Sequence, residues 1–150
     1  MNELDQLYQQ VILDHSKRRI GSPLVEHTEG LLHGESHQHN PICGDQIRVR
    51  VELDDQDHFT SMSWEGDGCS ISMASASVLA EMLPELTKEE FLGKRDYFRE
   101  MMRSKGNFEP DEDVLEDAAA FVGVSKFPAR VKCAMLAWVA AEVAMHEARK

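Results

Sequence analysis

A strict alternation of apolar and polar residues at positions 46–53 constrains the fold more than any other feature of this chain. Its apolar members are Ile47, Val49, Val51 and Leu53. A period of two places alternate side chains on opposite faces of a β-strand, so only one face of this strand is buried. An acidic turn at 54–57 follows, and residues 58–64 can return as a second strand. The sequence therefore predicts an antiparallel hairpin that another layer must cover.

Segments on both sides of the hairpin carry the periodicity and the boundary signals of helices. The predicted helices span residues 4–19, 69–83, 87–105, 111–121 and 128–147. Residues 87–90 have the Thr-x-x-Glu form of a capping box, and the acidic residues at 111–113 favour a helix N-terminus. The core face predicted for the last helix consists of Val131, Met135, Trp138, Val139 and Val143. We expect these helices to cover one face of the sheet.

Residues 24–40 show no sustained period and contain two glycines. Four histidines lie in this segment: His27, His33, His37 and His39. We predict a loop that can include a short strand. We interpret the histidines as part of a flexible polar surface rather than as a metal site, because loops gather polar residues. The sequence assigns them no role.

The order of the predicted elements indicates an α+β protein. It places a small antiparallel β-sheet of about three strands against several helices. At 150 residues the chain has the usual size of one domain, and neither an internal repeat nor a linker divides it. We therefore predict a single domain over residues 1–150.

Charge and hydropathy exclude several classes of partner. The formal net charge of -11 opposes nucleic-acid binding, which needs clustered lysine and arginine. No apolar run approaches the roughly 20 residues that span a bilayer. The acidic N-terminus lacks the basic flank and the apolar stretch of a secretory signal. We expect a cytoplasmic protein with reduced thiols and with no nucleic-acid or membrane partner.

The chemistry of the chain centres on three cysteines in different settings. Cys43 precedes Gly44 in the turn that enters the first predicted strand. Cys69 lies at the predicted start of a helix, and Cys133 lies in the first turns of the last helix. An odd number of thiols does not suit a disulfide framework, whereas three sulfurs and the carboxylate of Asp45 suit a tetrahedral zinc ion. Taken singly, each cysteine can equally be a small buried core residue.

Four segments resemble the U-type iron–sulfur cluster assembly family, in family order and across nearly the whole chain. They are LYQQVILDH at 7–15, NPICGD at 40–45, GDGCSISMASAS at 66–77 and GVSKFPARVKC at 123–133. Lys132 precedes the last cysteine where IscU scaffolds have a histidine, and residues 85–122 are similar to an insertion of the SufU branch. The resemblance is therefore closest to SufU and implies the fold of IscU and of the NifU N-terminal domain. Residues 16–38 do not match the family pattern.

The resemblance implies a zinc-dependent sulfurtransferase in iron–sulfur cluster biogenesis. The implied zinc ligands are Cys43, Asp45, Cys69 and Cys133. Cys43 would accept persulfide sulfur from a SufS-type cysteine desulfurase and would stimulate the turnover of that enzyme. Downstream iron–sulfur assembly proteins are the further partners implied. Arg130 is a candidate to steady the anionic sulfur during transfer.

Three alternatives use the same residues differently. Three thiolates and a carboxylate can also hold an iron–sulfur cluster, which would make the chain an assembly scaffold. A purely structural zinc ion would make it a non-catalytic module. A hydrolase with Cys69 as its nucleophile is the weakest alternative, because no histidine is placed to act as the base.

Overall fold

A computed structural model of the chain describes residues 2 to 150. Its helices are α1 (Glu3–Arg18), α2 (Ser70–Met82), α3 (Lys88–Met102), α4 (Glu112–Leu115) and α5 (Pro128–His146). Its strands are β1 (Leu32–Asn40), β2 (Asp45–Leu53) and β3 (Phe59–Asp67), and a 3-10 segment at Glu116–Lys126 joins α4 to α5. None of the helices in this part of the chain is long and apolar enough to cross a membrane.

The three strands form one antiparallel sheet in the order β1–β2–β3, with the alternating segment as its central strand. Val49 of β2 pairs with Ser36 on one side and with Trp64 on the other. Val49 and Trp64 are fully buried, as the period of two requires for the covered face. The predicted hairpin and the α+β class with a three-stranded sheet are confirmed.

The prediction of a loop across residues 24–40 is wrong for the second half of that segment, where β1 is a strand of nine residues. The buried residues of β1 are Gly34, Ser36 and Asn40. None of them is a large apolar residue, so the alternation of this strand carries no hydrophobic signal. The strand includes three of the four histidines: His33, His37 and His39. These three are therefore not part of a flexible loop.

Helix α5 packs closely on β1, and Gly34 permits this approach. A Cβ atom at position 34 would overlap the backbone carbonyl oxygen of Ala144 and would lie 2.8 Å from the backbone nitrogen of Ala148. Beyond the end of α5, Arg149 exchanges two backbone hydrogen bonds with His33, at 3.0 and 2.9 Å. The C-terminal end of the chain is thus fastened to the edge strand.

In the core face predicted for α5, Trp138 is buried and Val131 and Met135 pack against the core while partly buried, but the prediction is wrong for Val139. Only Trp138 of the five predicted residues is fully buried, and Val139 is exposed. The small buried residues of the helix are Cys133, Ala134, Ala137, Ala140, Ala141 and Ala144. Alanine lets the helix backbone approach the sheet, and the larger valines then lie toward the margins of the contact. Alanines make up most of the buried face, and the larger Leu136, Trp138 and Met145 are buried with them, so hydrophobicity alone does not identify this face.

The segment predicted as one helix at 111–121 is divided. Asp111 caps the short helix α4, as the acidic start suggested, but Glu116 has a φ of 50° that interrupts the α-helix. The chain continues as the 3-10 segment.

The capping box predicted for α3 is confirmed. Thr87 and Glu90 form it, with hydrogen bonds of 2.9 and 3.1 Å.

The close approach at Gly34 predicts a specific loss of stability. We expect Gly34→Ala to lower the free energy of unfolding by about 1–3 kcal/mol, since the methyl group must push α5 away from β1. The matched control is Gly93→Ala in α3, where a Cβ atom meets nothing within 4 Å. Urea unfolding should show this control to be more stable than the parent by about 0.5–1 kcal/mol. Equal behaviour of the two variants would contradict the packing described.

Candidate metal centre

Three of the four predicted metal ligands, Cys43, Asp45 and Cys133, come together where one end of the sheet meets the N-termini of two helices, and the fourth, Cys69, contacts Asp45 beside them. Cys43 lies in the β1–β2 turn, Asp45 is the first residue of β2, and Cys133 lies in the second turn of α5. One ligand atom from each of these three lies within 4.8 Å of the others. Cys69 immediately precedes α2, and its Sγ atom lies 3.7 Å from Asp45 Oδ2. Residues separated by up to 90 positions thus meet at one point.

Local backbone geometry brings Cys43 to the centre. Gly44 has a φ of +75°, a conformation that favours glycine, and its N–H donates to the Asn40 carbonyl at 2.8 Å. The Asn40 side chain accepts from the Ile42 N–H at 3.1 Å and lies 4.0 Å from Cys133 Sγ. This turn holds the exposed Cys43 Sγ 3.5 Å from the buried Cys133 Sγ.

Asp45 is the most constrained member of the centre, with 1% of its surface exposed. Its Oδ1 accepts from the Cys69 N–H at 3.0 Å, and its Oδ2 accepts from the Ser72 hydroxyl at 2.5 Å. Gly68 lies directly against the carboxylate, because a Cβ atom there would be 2.7 Å from Oδ1. Both oxygens are therefore held in place, and the backbone around them leaves no room for another side chain.

Hydrogen bonds decide the charge of Asp45. Burial alone would raise the pKa of this carboxyl group, but hydrogen bonds from the Ser72 hydroxyl, the Cys133 thiol and Cys69 outweigh burial and hold the pKa below its usual range. The group is therefore a carboxylate throughout the physiological pH range. A fixed anion between thiols favours a cation as the occupant of the site.

The environment of Cys133 opposes a free thiolate. Burial raises the pKa of this thiol, and the carboxylate of Asp45 and the sulfur atoms of Cys43 and Cys69 raise it further. Its Sγ also lies 3.5 Å from Cys43 Sγ and 3.7 Å from the Ala129 carbonyl oxygen. A bound divalent cation reverses this preference, because direct bonding deprotonates a coordinating thiol.

The donor atoms fit a tetrahedral zinc ion. Zinc binds thiolate at about 2.3 Å and carboxylate oxygen at about 2.0–2.2 Å, so two tetrahedral donors stand about 3.5–3.8 Å apart. The separations of 3.5 Å between Cys43 Sγ and Cys133 Sγ and of 3.7 Å between Cys69 Sγ and Asp45 Oδ2 agree with these values. Three sulfurs and one oxygen can also hold an iron–sulfur cluster.

The other candidates from the sequence do not join this group of donors. Arg130 is exposed in the first turn of α5, and its side chain makes no hydrogen bond or ion pair with any described residue. The ring of His27 stacks on that of His33 with centroids 3.9 Å apart, and His37 Nε2 lies 3.1 Å from Gln46 Oε1. Their contacts are therefore with neighbouring residues on and beside the sheet.

Sequence reasoning missed the residues that position the ligands, chiefly Asn40, Gly68 and Ser72. Ser72 follows Cys69 by three positions, which places its hydroxyl one helical turn beyond the cysteine, beside Asp45. That spacing was the available signal. The spacing indicates a role for Ser72 only if Asp45 is known to lie next to the start of α2. The sequence alone does not specify that contact.

The chain matches the family model described as the NifU-like N-terminal domain over residues 7–146. It belongs to this family. The family that the sequence motifs suggested is thereby confirmed, and the matched segment includes all four ligand candidates of the metal centre.

Relatives and solved structures agree with this assignment. The chain is 42% identical over 142 residues to the zinc-dependent sulfurtransferase SufU of Bacillus subtilis, covering 93% of this chain and 89% of that protein. It is 39% identical over 147 residues to the iron–sulfur cluster assembly scaffold protein IscU of Streptococcus pyogenes, covering 97% and 86%. A crystal structure from Fervidobacterium islandicum, described as a candidate iron–sulfur cluster assembly scaffold for the SUF system, superposes with a TM-score of 0.76 at 32% identity, covering 93% and 97%.

The hydrogen bond from Ser72 to Asp45 predicts that removing the Ser72 hydroxyl lowers the affinity of the site for metal. We expect Ser72→Ala to weaken Zn²⁺ binding roughly 10- to 100-fold, because the carboxylate loses the hydroxyl that fixes Oδ2. Competition with a chromophoric chelator measures this change. Ser70→Ala is the matched control, since Ser70 is exposed in the same helical turn, and it should bind within about twofold of the parent. Equal affinities of the two variants would show that the hydroxyl does not support the site.

Proposed function

We propose that this protein is a zinc-dependent sulfurtransferase of iron–sulfur cluster biogenesis. It accepts persulfide sulfur on Cys43 from a SufS-type cysteine desulfurase and increases the turnover of that enzyme. It then passes the sulfur to downstream iron–sulfur assembly proteins in the cytoplasm, where thiols remain reduced. The observation that carries the proposal is the position of Cys43, an exposed thiol at the edge of a donor set whose other members include the buried Asp45 and Cys133.

Cys43 is better placed than Cys69 to leave the metal and react. Both cysteines are exposed, but Cys69 immediately precedes α2 and its N–H is bonded to Asp45. Moving Cys69 would disturb the start of a buried helix. Cys43 lies in a turn whose residues 41–44 are all exposed, so it can swing outward while the other three donors keep their positions.

Zinc bound by Cys43, Asp45, Cys69 and Cys133 would keep the thiols deprotonated at neutral pH and protect them from oxidation. A site with four protein ligands is closed, so reaction requires the Cys43 side chain to move out to the incoming enzyme. Asp45 stays in place because Ser72 and the Cys69 N–H hold both of its oxygens.

The transfer itself is a thiol exchange. The Cys43 thiolate attacks the terminal sulfur of the desulfurase cysteine persulfide, and a new S–S bond forms at Cys43 as the S–S bond of the persulfide breaks. The desulfurase cysteine leaves as a thiolate, and the proton of the terminal sulfur stays with that sulfur. No external oxidant or reductant is needed. Arg130, which is exposed and has no ion pair with any described residue, is proposed to steady the anionic sulfur, that is, the negative charge that moves between sulfur atoms during the exchange.

A second candidate function is that of a scaffold on which an iron–sulfur cluster is assembled. The group of Cys43, Asp45 and Cys133, with Cys69 in contact with Asp45, supports it, as does the likeness to a protein named IscU. The position before the last cysteine favours sulfur transfer, because the exposed Lys132 supplies no imidazole ligand. Iron content and visible absorption of anaerobically purified protein distinguish the two functions.

The acceptor role of Cys43 predicts the outcome of one substitution. Cys43→Ala should abolish stimulation of a SufS-type desulfurase while the circular dichroism spectrum stays unchanged, because this side chain is exposed. Sulfide released from cysteine in the presence of a reductant is the measurement. Ser70→Ala retains all four donors and should stimulate fully.

Normal stimulation by Cys43→Ala would refute the acceptor assignment. A different result would indicate a purely structural zinc module. In that case Cys43→Ala would unfold, and the parent protein would have no effect of its own on the desulfurase.

The closed donor set also predicts metal-dependent stability. We expect about one zinc ion per chain by plasma emission spectroscopy. A ligand present at a thousand times its Kd stabilises by about 4 kcal/mol, so chelation should lower the melting temperature by roughly 10 °C for a domain of this size. A melting temperature that does not respond to chelator would contradict a zinc ion shared by four elements of the fold.

A further inference from the structure

A second group of ligand atoms lies at the other end of α2, where α1 and the 3-10 segment meet it. His15 of α1 is only 1% exposed. Its Nε2 atom lies 2.9 Å from Asp117 Oδ2 and 3.8 Å from Glu81 Oε1. One ligand atom from each of these three residues lies within 4.8 Å of the others. The group joins three separate elements of the fold.

The spacing of these atoms is close to what one metal ion imposes. Donors at about 2.0–2.2 Å from a shared ion stand roughly 3.0–3.6 Å apart in octahedral or tetrahedral geometry. The distances of 2.9 and 3.8 Å from His15 Nε2 bracket that range. Both carboxylates are about half exposed, so small rotations of their side chains can adjust them, whereas the buried imidazole stays fixed.

Ser77 presents the imidazole in the orientation that a metal ligand needs. Its Oγ lies 2.8 Å from His15 Nδ1 and accepts from the Ile20 N–H at 3.0 Å. A metal-binding histidine commonly donates its second ring N–H to an oxygen, which fixes the tautomer and frees the other nitrogen. Without an ion, Nε2–H can donate to Asp117 Oδ2; when a metal ion takes the place of that proton, Nδ1–H can donate to Ser77 and the Nε2 lone pair faces the ion.

The surface around these residues attracts cations. Glu81 and Asp117 line a cleft of about 340 Å³ that Glu85, Glu90 and Glu116 also line, with no lysine or arginine among its lining residues. Arg18 Nη2 lies 3.7 Å from Glu81 Oε2, so the other oxygen, Oε1, faces His15. A cleft lined by one sign of charge concentrates counter-ions.

We propose that His15, Glu81 and Asp117 form a second metal site, which binds a divalent ion that favours nitrogen and oxygen ligands, such as Mn²⁺ or Fe²⁺. One imidazole and two carboxylates suit these ions, and open coordination positions toward the cleft are filled by water. The site is independent of the thiol centre. Its occupation links α1, α2 and the 3-10 segment through a single ion.

The test uses Mn²⁺, which has little preference for thiolates. The complete chain is first given one equivalent of Zn²⁺ to occupy the cysteines and is then titrated with Mn²⁺. Electron paramagnetic resonance counts free Mn²⁺, and isothermal titration calorimetry gives the affinity. We expect one saturable Mn²⁺ site per chain, weakened at least about tenfold by Glu81→Gln and by Asp117→Asn.

The matched control is Glu85→Gln, which removes the same charge from the same cleft but lies outside the donor group. It should change the affinity by less than about twofold. All variants must have the same circular dichroism spectrum and the same zinc content. We expect this because Glu81 and Asp117 are about half exposed, so their substitution does not disturb the core.

Two results would overturn the proposal. If no saturable Mn²⁺ binding is seen up to about 1 mM, the dissociation constant is weaker than about 1 mM. That result would show that the imidazole and the carboxylates only pair with each other. An equal loss of affinity in Glu85→Gln would show diffuse attraction to an acidic surface. Neither result bears on the stimulation of a desulfurase, so failure here is distinct from failure of the sulfur-transfer function.

Discussion

The buried carboxylate of Asp45 is the constraint on which the arrangement of the metal centre depends. Burying a carboxylate removes its hydrogen bonds to water, and other donors must replace them. Here the Cys69 N–H and the Ser72 hydroxyl are those donors. These bonds fasten the start of β2 to the first turn of α2. The same carboxylate holds Cys69 beside the group, with Cys69 Sγ 3.7 Å from Asp45 Oδ2. Removing the charge would therefore loosen the fold and disperse the ligands together.

Helix α2 connects the rest of the molecule because its buried serines each reach a different neighbour. Ser72 donates to Asp45 on β2, Ser75 donates to the Ala134 carbonyl of α5 at 2.6 Å, and Ser77 contacts His15 of α1. Hydroxyl groups buried in a helix must find partners, and their partners here are the groups that align the surrounding elements. The small side chains also allow α5 to approach closely, and this approach brings Cys133 beside Cys43.

Sequence patterns predicted the parts of this fold whose signals are local. The period of two in β2 and the Thr87 capping box each depend on a few neighbouring residues. The extent of β1 was missed, although a short strand was allowed there, because Gly34 and Ser36 face inward, where helix packing requires small residues rather than apolar ones. The ligand candidates were recognisable from motifs, and the structure groups Cys43, Asp45 and Cys133 with Cys69 beside them. The contact of His15 with Asp117 spans 102 positions, so no local pattern could reveal it.

The two groups of ligand atoms differ in chemistry as well as in place. Cys69, which immediately precedes α2, and Glu81 of α2 are twelve residues apart, which corresponds to about 18 Å at 1.5 Å per residue, so one ion cannot contact both groups. Thiolates favour zinc and cluster iron, whereas imidazole with carboxylates accepts harder ions that thiolates bind weakly. Because one rigid, buried helix carries members of both groups, filling one site need not distort the other. Selectivity between them then follows from ligand softness alone, which is why a hard probe ion can examine the second group while zinc occupies the first.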